Sequence, residues 1–269
     1  MKITAVHGRA HKGVTYGMTD AFLKNLMRPE DELVEFFLPK DGPGFCCGCY
    51  NCFLKGEDKC PSADKVQPIA KALEQADVIV LDSPDYVMEM SGAMKNLMDH
   101  LAYRWIAHRP HGAMFTKVGV AICSSAGAPT GSVTKSLARQ MRWWCVPKVY
   151  RFGLACQTAP GEKPRPKKQA VIDRKAKKIA GAVRRRVAHP HTGLREKFMF
   201  SLFAGMQRKD GTAWNPTDRD WWINQGWTKK QGPGRAGNKH IVIYHHKYTL
   251  NYIKKRDMKV ISRLFDIYI

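Results

Sequence analysis

The run Lys2-Ile3-Thr4-Ala5-Val6-His7-Gly8-Arg9-Ala10-His11-Lys12-Gly13-Val14-Thr15, continued by a helical stretch from Tyr16 to Met27, decides the fold. Ile3, Ala5 and Val6, with β-branched Thr4 among them, read as a short strand that ends at His7. A basic loop containing Gly8 and Gly13 follows, and then the helix. Strand, loop and helix in that order make an anion site, because the first N–H groups of a helix have no partner within it and its dipole favours negative charge there. Gly8 and Gly13 allow close backbone approach, Thr15 offers a hydroxyl, and Arg9, His11 and Lys12 offer charge. The loop matches neither G-x-G-x-x-G nor G-x-x-x-x-G-K-[ST], so a dinucleotide fingerprint and a Walker loop lack support. The plain alternative is an ordinary βα turn with solvated basic residues.

Outward from this unit the same alternation recurs. Strands are predicted over Glu32–Leu38, Ala76–Asp82, Val118–Cys123 and Val149–Cys156. The near-continuous apolar run of the third suits a central parallel strand buried on both faces. Helices are predicted over Ala63–Gln75, from a Ser91 cap to about Trp105, and over Ser132–Trp144. A linker over Pro160–Lys168 leads into a basic helix that runs to about Val187. Repeated βα units imply right-handed crossovers and a parallel sheet. Ligands of such sheets bind beyond the carboxyl ends of the strands. The loops at those ends are 8–15, 41–62, 83–91 and 124–131, and they are expected to converge.

Composition bounds the rest. The 269 residues are 44% hydrophobic, ordinary for a globular protein, and no run reaches the ~18 apolar residues of a membrane span. With no leader-like start, a cytoplasmic location is expected. The net charge of +22 is concentrated beyond residue 160, where Lys and Arg far outnumber Asp and Glu. This marks a core domain with a basic extension, either merely solvated or facing an anionic partner. Of eight cysteines, Cys46, Cys47, Cys49, Cys52 and Cys60 cluster, whereas Cys123, Cys145 and Cys156 fall in apolar contexts. The spacing C-x2-C-x2-C-x7-C of Cys46, Cys49, Cys52 and Cys60 suits four thiolates on a [4Fe–4S] cluster; a zinc site or free thiols remain open.

Residues 1–187 resemble the flavodoxin-like NAD(P)H-dependent FMN reductase family, in the branch of the iron–sulfur flavoproteins. Three motifs carry the resemblance: the loop Gly8–Thr15; Ser83-Pro84-Asp85-Tyr86 followed by Met94-Lys95-Asn96-Leu97-Met98-Asp99; and the cysteine pattern. The resemblance implies a five-stranded parallel sheet of order 2-1-3-4-5. It also implies an FMN site at Arg9, His11, Lys12, Gly13, Val14, Thr15, Pro84, Asp85, Tyr86, Val87, Met88, Ser125, Ala126 and Gly127. NAD(P)H would then be co-substrate, and a quinone, nitro compound, free flavin or similar small molecule the acceptor. A different reading is an iron–sulfur flavoprotein electron carrier that docks a ferredoxin-like partner through the basic surface. The chain departs from the family pattern at Arg9, Ala10, Val14 and Asp85.

Beyond residue 190, Phe198–Met206 reads as an apolar helix, and Asn215–Trp227 as a Trp-containing helix with Thr217 as its cap. This extension, 188–230, is expected to pack on the flavin domain or on a second subunit, where it could roof the site. Its Phe198, Phe200, Leu202, Phe203, Trp221, Trp222 and Trp227, lying outside the five strands, lead to the expectation of a homodimer or tetramer. Interleaved Trp and Lys permit nucleic-acid stacking, but no recognisable binding module supports it. A basic tail, 231–269, has no assigned role.

Overall fold

In a computed structural model of the chain, residues 1–159, 161–208, 211 and 215–228 are described. The expected tail from 231 lies outside them. The first unit folds as read: β1 (Lys2–His7) leads through the basic loop into α1 (Val14–Leu26). Next come β2 (Glu32–Phe37), a one-turn helix α2 (Asn51–Leu54) inside the cysteine loop, and α3 (Ala63–Gln75). They are followed by β3 (Val78–Pro84), α4 (Gly92–His100), β4 (Val118–Ser125), α5 (Gly131–Trp143) and β5 (Lys148–Ala155). The basic helix is α6 (Pro166–Ala188), and α7 (Leu194–Met206) and α8 (Pro216–Asn224) form the extension.

The five strands pair in parallel in the order β2-β1-β3-β4-β5. This is the flavodoxin-like order that the resemblance implied, and its switch point lies between β1 and β3. Side chains alternate across the sheet and build two cores. On one face Ile3, Ala5, Val80, Val120 and Ile122 pack with Met18, Phe22 and Leu26 of α1 and with Ile172, Ala176, Ala180 and Val183 of α6. On the other, Val6, Ile79, Leu81 and Ala121 pack with α3, α4 and α5. Strands β3 and β4 are buried nearly end to end, as their unbroken apolar runs predict, whereas β2 at the edge is half-buried.

Most element ends move by a residue or more from the sequence reading, and three of these differences carry a clear physical reason. Pro84 belongs to β3, where it pairs with Ser124 at the strand end and needs no N–H. Helix α4 stops at His100 and not near Trp105: the Leu101 N–H bonds both Asp99 O and Leu97 O, and a tight turn over Ala102–Arg104 follows. Helix α8 is capped by Asn215, whose side chain accepts from the Thr217 N–H at 2.9 Å, and not by Thr217. The Thr217 hydroxyl instead donates to Leu54 O at 2.8 Å.

That bond belongs to a clamp. Helix α2 is too short to satisfy its own carbonyls, and side chains from elsewhere do so. Arg109 donates to Cys52 O and, at 3.2 Å, to Phe53 O; Asn215 donates to Phe53 O at 2.7 Å. Arg109 is itself held by Asp218 at 2.5 Å and Glu57 at 3.3 Å, and the other Asp218 oxygen lies 2.8 Å from His108 Nδ1. The extension thus packs on its own chain. Phe200, Phe203, Trp222 and Trp227 are buried in one core, with Phe200, Trp222 and Trp227 in ring contact, so they are not spare surface awaiting a partner. Leu194, Phe198 and Met206 remain exposed.

Candidate functional site

Three of the four loops predicted to converge are tied together at the carboxyl edge of the sheet. The Gly8 N–H donates to Asp82 O at 2.7 Å, so the first loop leaves β1 in contact with β3. A side chain at Gly8 would meet Asp82 O and Ser91 Oγ at 2.9 Å, so the close approach demands glycine. Ser91, at the cap of α4, accepts from the Met94 N–H and donates to Gly8 O at 2.7 Å. Thr15 Oγ1 and Ser124 Oγ lie 2.6 Å apart, and the Asp85 N–H donates to Ser124 O at 3.0 Å. Arg9 lies over the Tyr86 ring, 5.5 Å from its centroid, and donates to its hydroxyl.

The start of α1 has no side-chain cap: Gly13 occupies the cap position in extended conformation. Its leading N–H groups are left for a ligand, with Arg9, His11 and Lys12 exposed around them and Val14 and Thr15 half-buried. Lys12 sits 4.7 Å from the Tyr16 ring centroid and 5.6 Å from that of Phe37.

The second loop is a tight hairpin turn. Tyr86 and Glu89 exchange both backbone hydrogen bonds, at 2.9 and 3.1 Å, and between them Val87 and Met88 adopt φ of 54° and 66°. A β-branched residue in the left-handed region is strained, and strain of this kind gathers where a ligand or partner is handled. Tyr86, Val87 and Met88 are exposed, presenting apolar surface at the rim. Inside the rim, Asp85 Oδ2 is buried without a hydrogen-bond partner, an acceptor waiting for a donor. The third loop adds Ser125, whose hydroxyl donates to Ala128 O at 2.5 Å, and exposed Ala126 and Gly127.

Beneath the first loop lies a group that sequence reasoning missed. His7, 1% exposed, has Nδ1 2.6 Å from Asp82 Oδ2 and Nε2 3.0 Å from Glu35 Oε1. The Thr19 hydroxyl also donates to Asp82 Oδ2, at 2.6 Å. Burial pulls the His7 pKa down, but the hydrogen bonds to Asp82 and Glu35 outweigh it and leave it raised. An isolated polar residue within an apolar strand was the only sequence signal.

The cysteine loop is held on α4. Asn96 donates to Pro43 O and Gly44 O at 3.1 and 3.0 Å and accepts from the Cys46 N–H at 2.9 Å. His100 Nε2 lies 2.9 Å from Gly44 O, and its Nδ1 is 3.6 Å from Cys60 Sγ. Asn96 and His100 are buried polar residues four apart on one face of the helix, a spacing that the sequence displays. All eight cysteines are free thiols; Cys46, Cys47 and Cys49 are exposed, Cys52 and Cys60 half-buried. Burial, then Cys60 and Cys46, push the Cys52 thiol up to about 11, so the motif's thiols share one neighbourhood. The Asn51 amide, helped by Cys47, draws Cys49 down. Yet among the described residues no three His, Cys, Asp or Glu side chains stand close enough to hold a metal ion. The four thiols are therefore not gathered into a ready-made single-metal site such as a zinc centre.

Comparison with known proteins agrees with the fold. Residues 1–153 match the NADPH-dependent FMN reductase family. An iron–sulfur flavoprotein of Archaeoglobus fulgidus is 29% identical over 167 residues, covering 60% of this chain and 71% of that protein. One of Methanocaldococcus jannaschii is 37% identical over 89 residues, covering 33% of this chain and 43% of its own length. The solved structure of an FMN-dependent NADH-azoreductase from Bacillus anthracis in complex with FMN superposes with a TM-score of 0.51 at 13% identity, over 70% of this chain and 100% of that one.

Proposed function

The chain belongs to the NADPH-dependent FMN reductase family, and on that premise we propose that it is an NAD(P)H-dependent FMN oxidoreductase whose flavin lies across the three tied loops. The observation that carries this reading is the meeting of an uncapped helix start, a strained apolar hairpin and a small-residue loop at one end of the sheet. The N–H groups of Val14 and Thr15 and the side chains of Arg9, His11 and Lys12 would hold the FMN phosphate. Pro84, Asp85, Tyr86, Val87 and Met88 would line one edge of the flat ring, with Ser125, Ala126 and Gly127 letting it approach closely. The orphaned Asp85 oxygen fits an N–H donor of the ring's imide edge. Bound FMN supplies hydride acceptance and onward electron delivery; the chain orients it, excludes water and sets its electrostatics. A quinone, nitro compound, flavin or similar small molecule is the proposed acceptor.

The exposed rim of Tyr86, Val87 and Met88 would gain a second wall in a homodimer or tetramer. The second reading, an iron–sulfur flavoprotein electron carrier with a ferredoxin-like partner, draws on the names of the two archaeal relatives and on the cysteine spacing. It requires the loop 46–60 to close around a cluster. Anaerobic purification, a visible spectrum, FMN and iron analysis, and rapid mixing with NADPH or NADH separate the readings. Retained or bound FMN that bleaches with nicotinamide supports the enzyme. Bleaching only by a reduced ferredoxin, with stoichiometric iron, supports the carrier; failure to bind FMN refutes both.

A further inference from the structure

We infer that His7 is held as an imidazolium at the foot of the phosphate loop, and that its charge, fixed by Asp82 and Glu35, strengthens that loop's grip on a phosphate dianion. The inference rests on the FMN reading above for its ligand, but its first half stands on geometry alone. A neutral imidazole carries one N–H and one lone pair. Both His7 nitrogens face carboxylate oxygens, at 2.6 Å on Asp82 and 3.0 Å on Glu35. A neutral ring would turn its lone pair on one of them; a doubly protonated ring satisfies both. Asp82 Oδ2 is also the acceptor for Thr19, which suits an ionised carboxylate. Glu35 is 27% exposed on its side chain, so water solvates its charge, whereas His7 is 2% exposed and finds its balance only in these partners.

The neighbours complete the account. From β2 the Phe37 ring stacks on His7 at 4.4 Å, and from α1 the Tyr16 ring lies at 5.3 Å. Lys12, in the loop, lies over both of these rings. The groups facing His7 are therefore Asp82 and Glu35 at its nitrogens and Tyr16 and Phe37 at its ring, with Lys12 over those two rings. With His7 charged, the trio with Asp82 and Glu35 carries one net negative charge; with His7 neutral it carries two. The second charge would lie at the end of β1, next to the loop that His7 leads into, and would oppose an anion on that loop. Because the folded-state pKa is raised, the favourable state is complete at low pH and is lost as pH rises through that pKa.

Two measurements test this on the full-length chain. In the first, histidine-labelled apoprotein is followed by nitrogen NMR, with His7→Gln assigning the signal. Both ring nitrogens are expected to carry protons at neutral pH, and Glu35→Gln to lower the titration by about one pH unit. A single protonated nitrogen at neutral pH overturns the inference. In the second, FMN and riboflavin are titrated against wild type, H7Q and E35Q above about pH 7, where the FMN phosphate is dianionic. FMN is expected to bind H7Q about tenfold more weakly than wild type, with riboflavin, which lacks the phosphate, changed less than about twofold. FMN affinity of E35Q should fall with rising pH before that of wild type. Equal losses for the two ligands, or none, overturn the electrostatic role. If no variant and no wild type binds FMN, the functional reading fails while the NMR result still decides the charge of His7.

Discussion

Replacing Ser91 by Ala should loosen the phosphate loop from the flavin-side helix. Ser91 Oγ accepts from the Met94 N–H at 3.2 Å and donates to Gly8 O at 2.7 Å. Its N–H donates to Ser83 Oγ at 2.8 Å, and that bond survives in alanine. Losing the cap costs about 1 kcal/mol. Leaving the carbonyl of buried Gly8 without its donor costs about 1–3 kcal/mol more. The sum, about 2–4 kcal/mol, corresponds to a fall in melting temperature on the order of 10 °C for a chain of this size. Ser91→Asp separates the two parts: aspartate caps α4 well, yet sets an acceptor against the Gly8 carbonyl. The assay is urea unfolding of the apoprotein together with FMN titration. S91D should regain about half the lost stability and bind FMN no better than S91A. If S91A lost less than about 0.5 kcal/mol, or S91D matched wild type in FMN binding, the tie between Gly8 and α4 would not position the loop.

Gly8→Ala places a methyl 2.9 Å from the Asp82 carbonyl oxygen, a backbone atom that cannot swing away; about 1–3 kcal/mol of overpacking and a weakened FMN complex are expected, read by thermal melting and fluorescence titration. Asp31 governs the acid limb of stability. Burial pushes its carboxyl up, but the Met1 ammonium, the Arg28 amide and the Arg184 guanidinium outweigh this and hold it at about 2. Its contribution is therefore complete above the ordinary aspartate pKa and drains away as pH falls toward about 2; Asp31→Asn should flatten that limb in acid titrations of the melting temperature. Asp218→Asn removes a fully buried partner of Arg109 and should cost about 3–5 kcal/mol, with faster reaction of Cys52 toward a thiol reagent in the native state, because the clamp on α2 is weakened. A variant as stable and as unreactive as wild type would show that the extension does not brace the cysteine loop.

The alternation of strand and helix was legible in the chain because apolar periodicity is a local property: Val78–Leu81 reads as a doubly buried strand and Val66, Ile69, Ala70 and Leu73 as one helical face without knowledge of any neighbour. The converging loops followed from the parallel arrangement, and the strand order from family resemblance. Missed were contacts between distant segments. The sequence by itself determined which residues stand at the strand ends and that a glycine-bounded basic loop precedes a helix. Only the tertiary structure decided that His7 lies between Glu35 and Asp82, that Ser91 holds Gly8, and that Asp218, through Arg109, braces a helix carrying Cys52. Those pairs are joined by the register of β1 with β2 and β3 and by the packing of the extension, and spacing along the chain carries no trace of either.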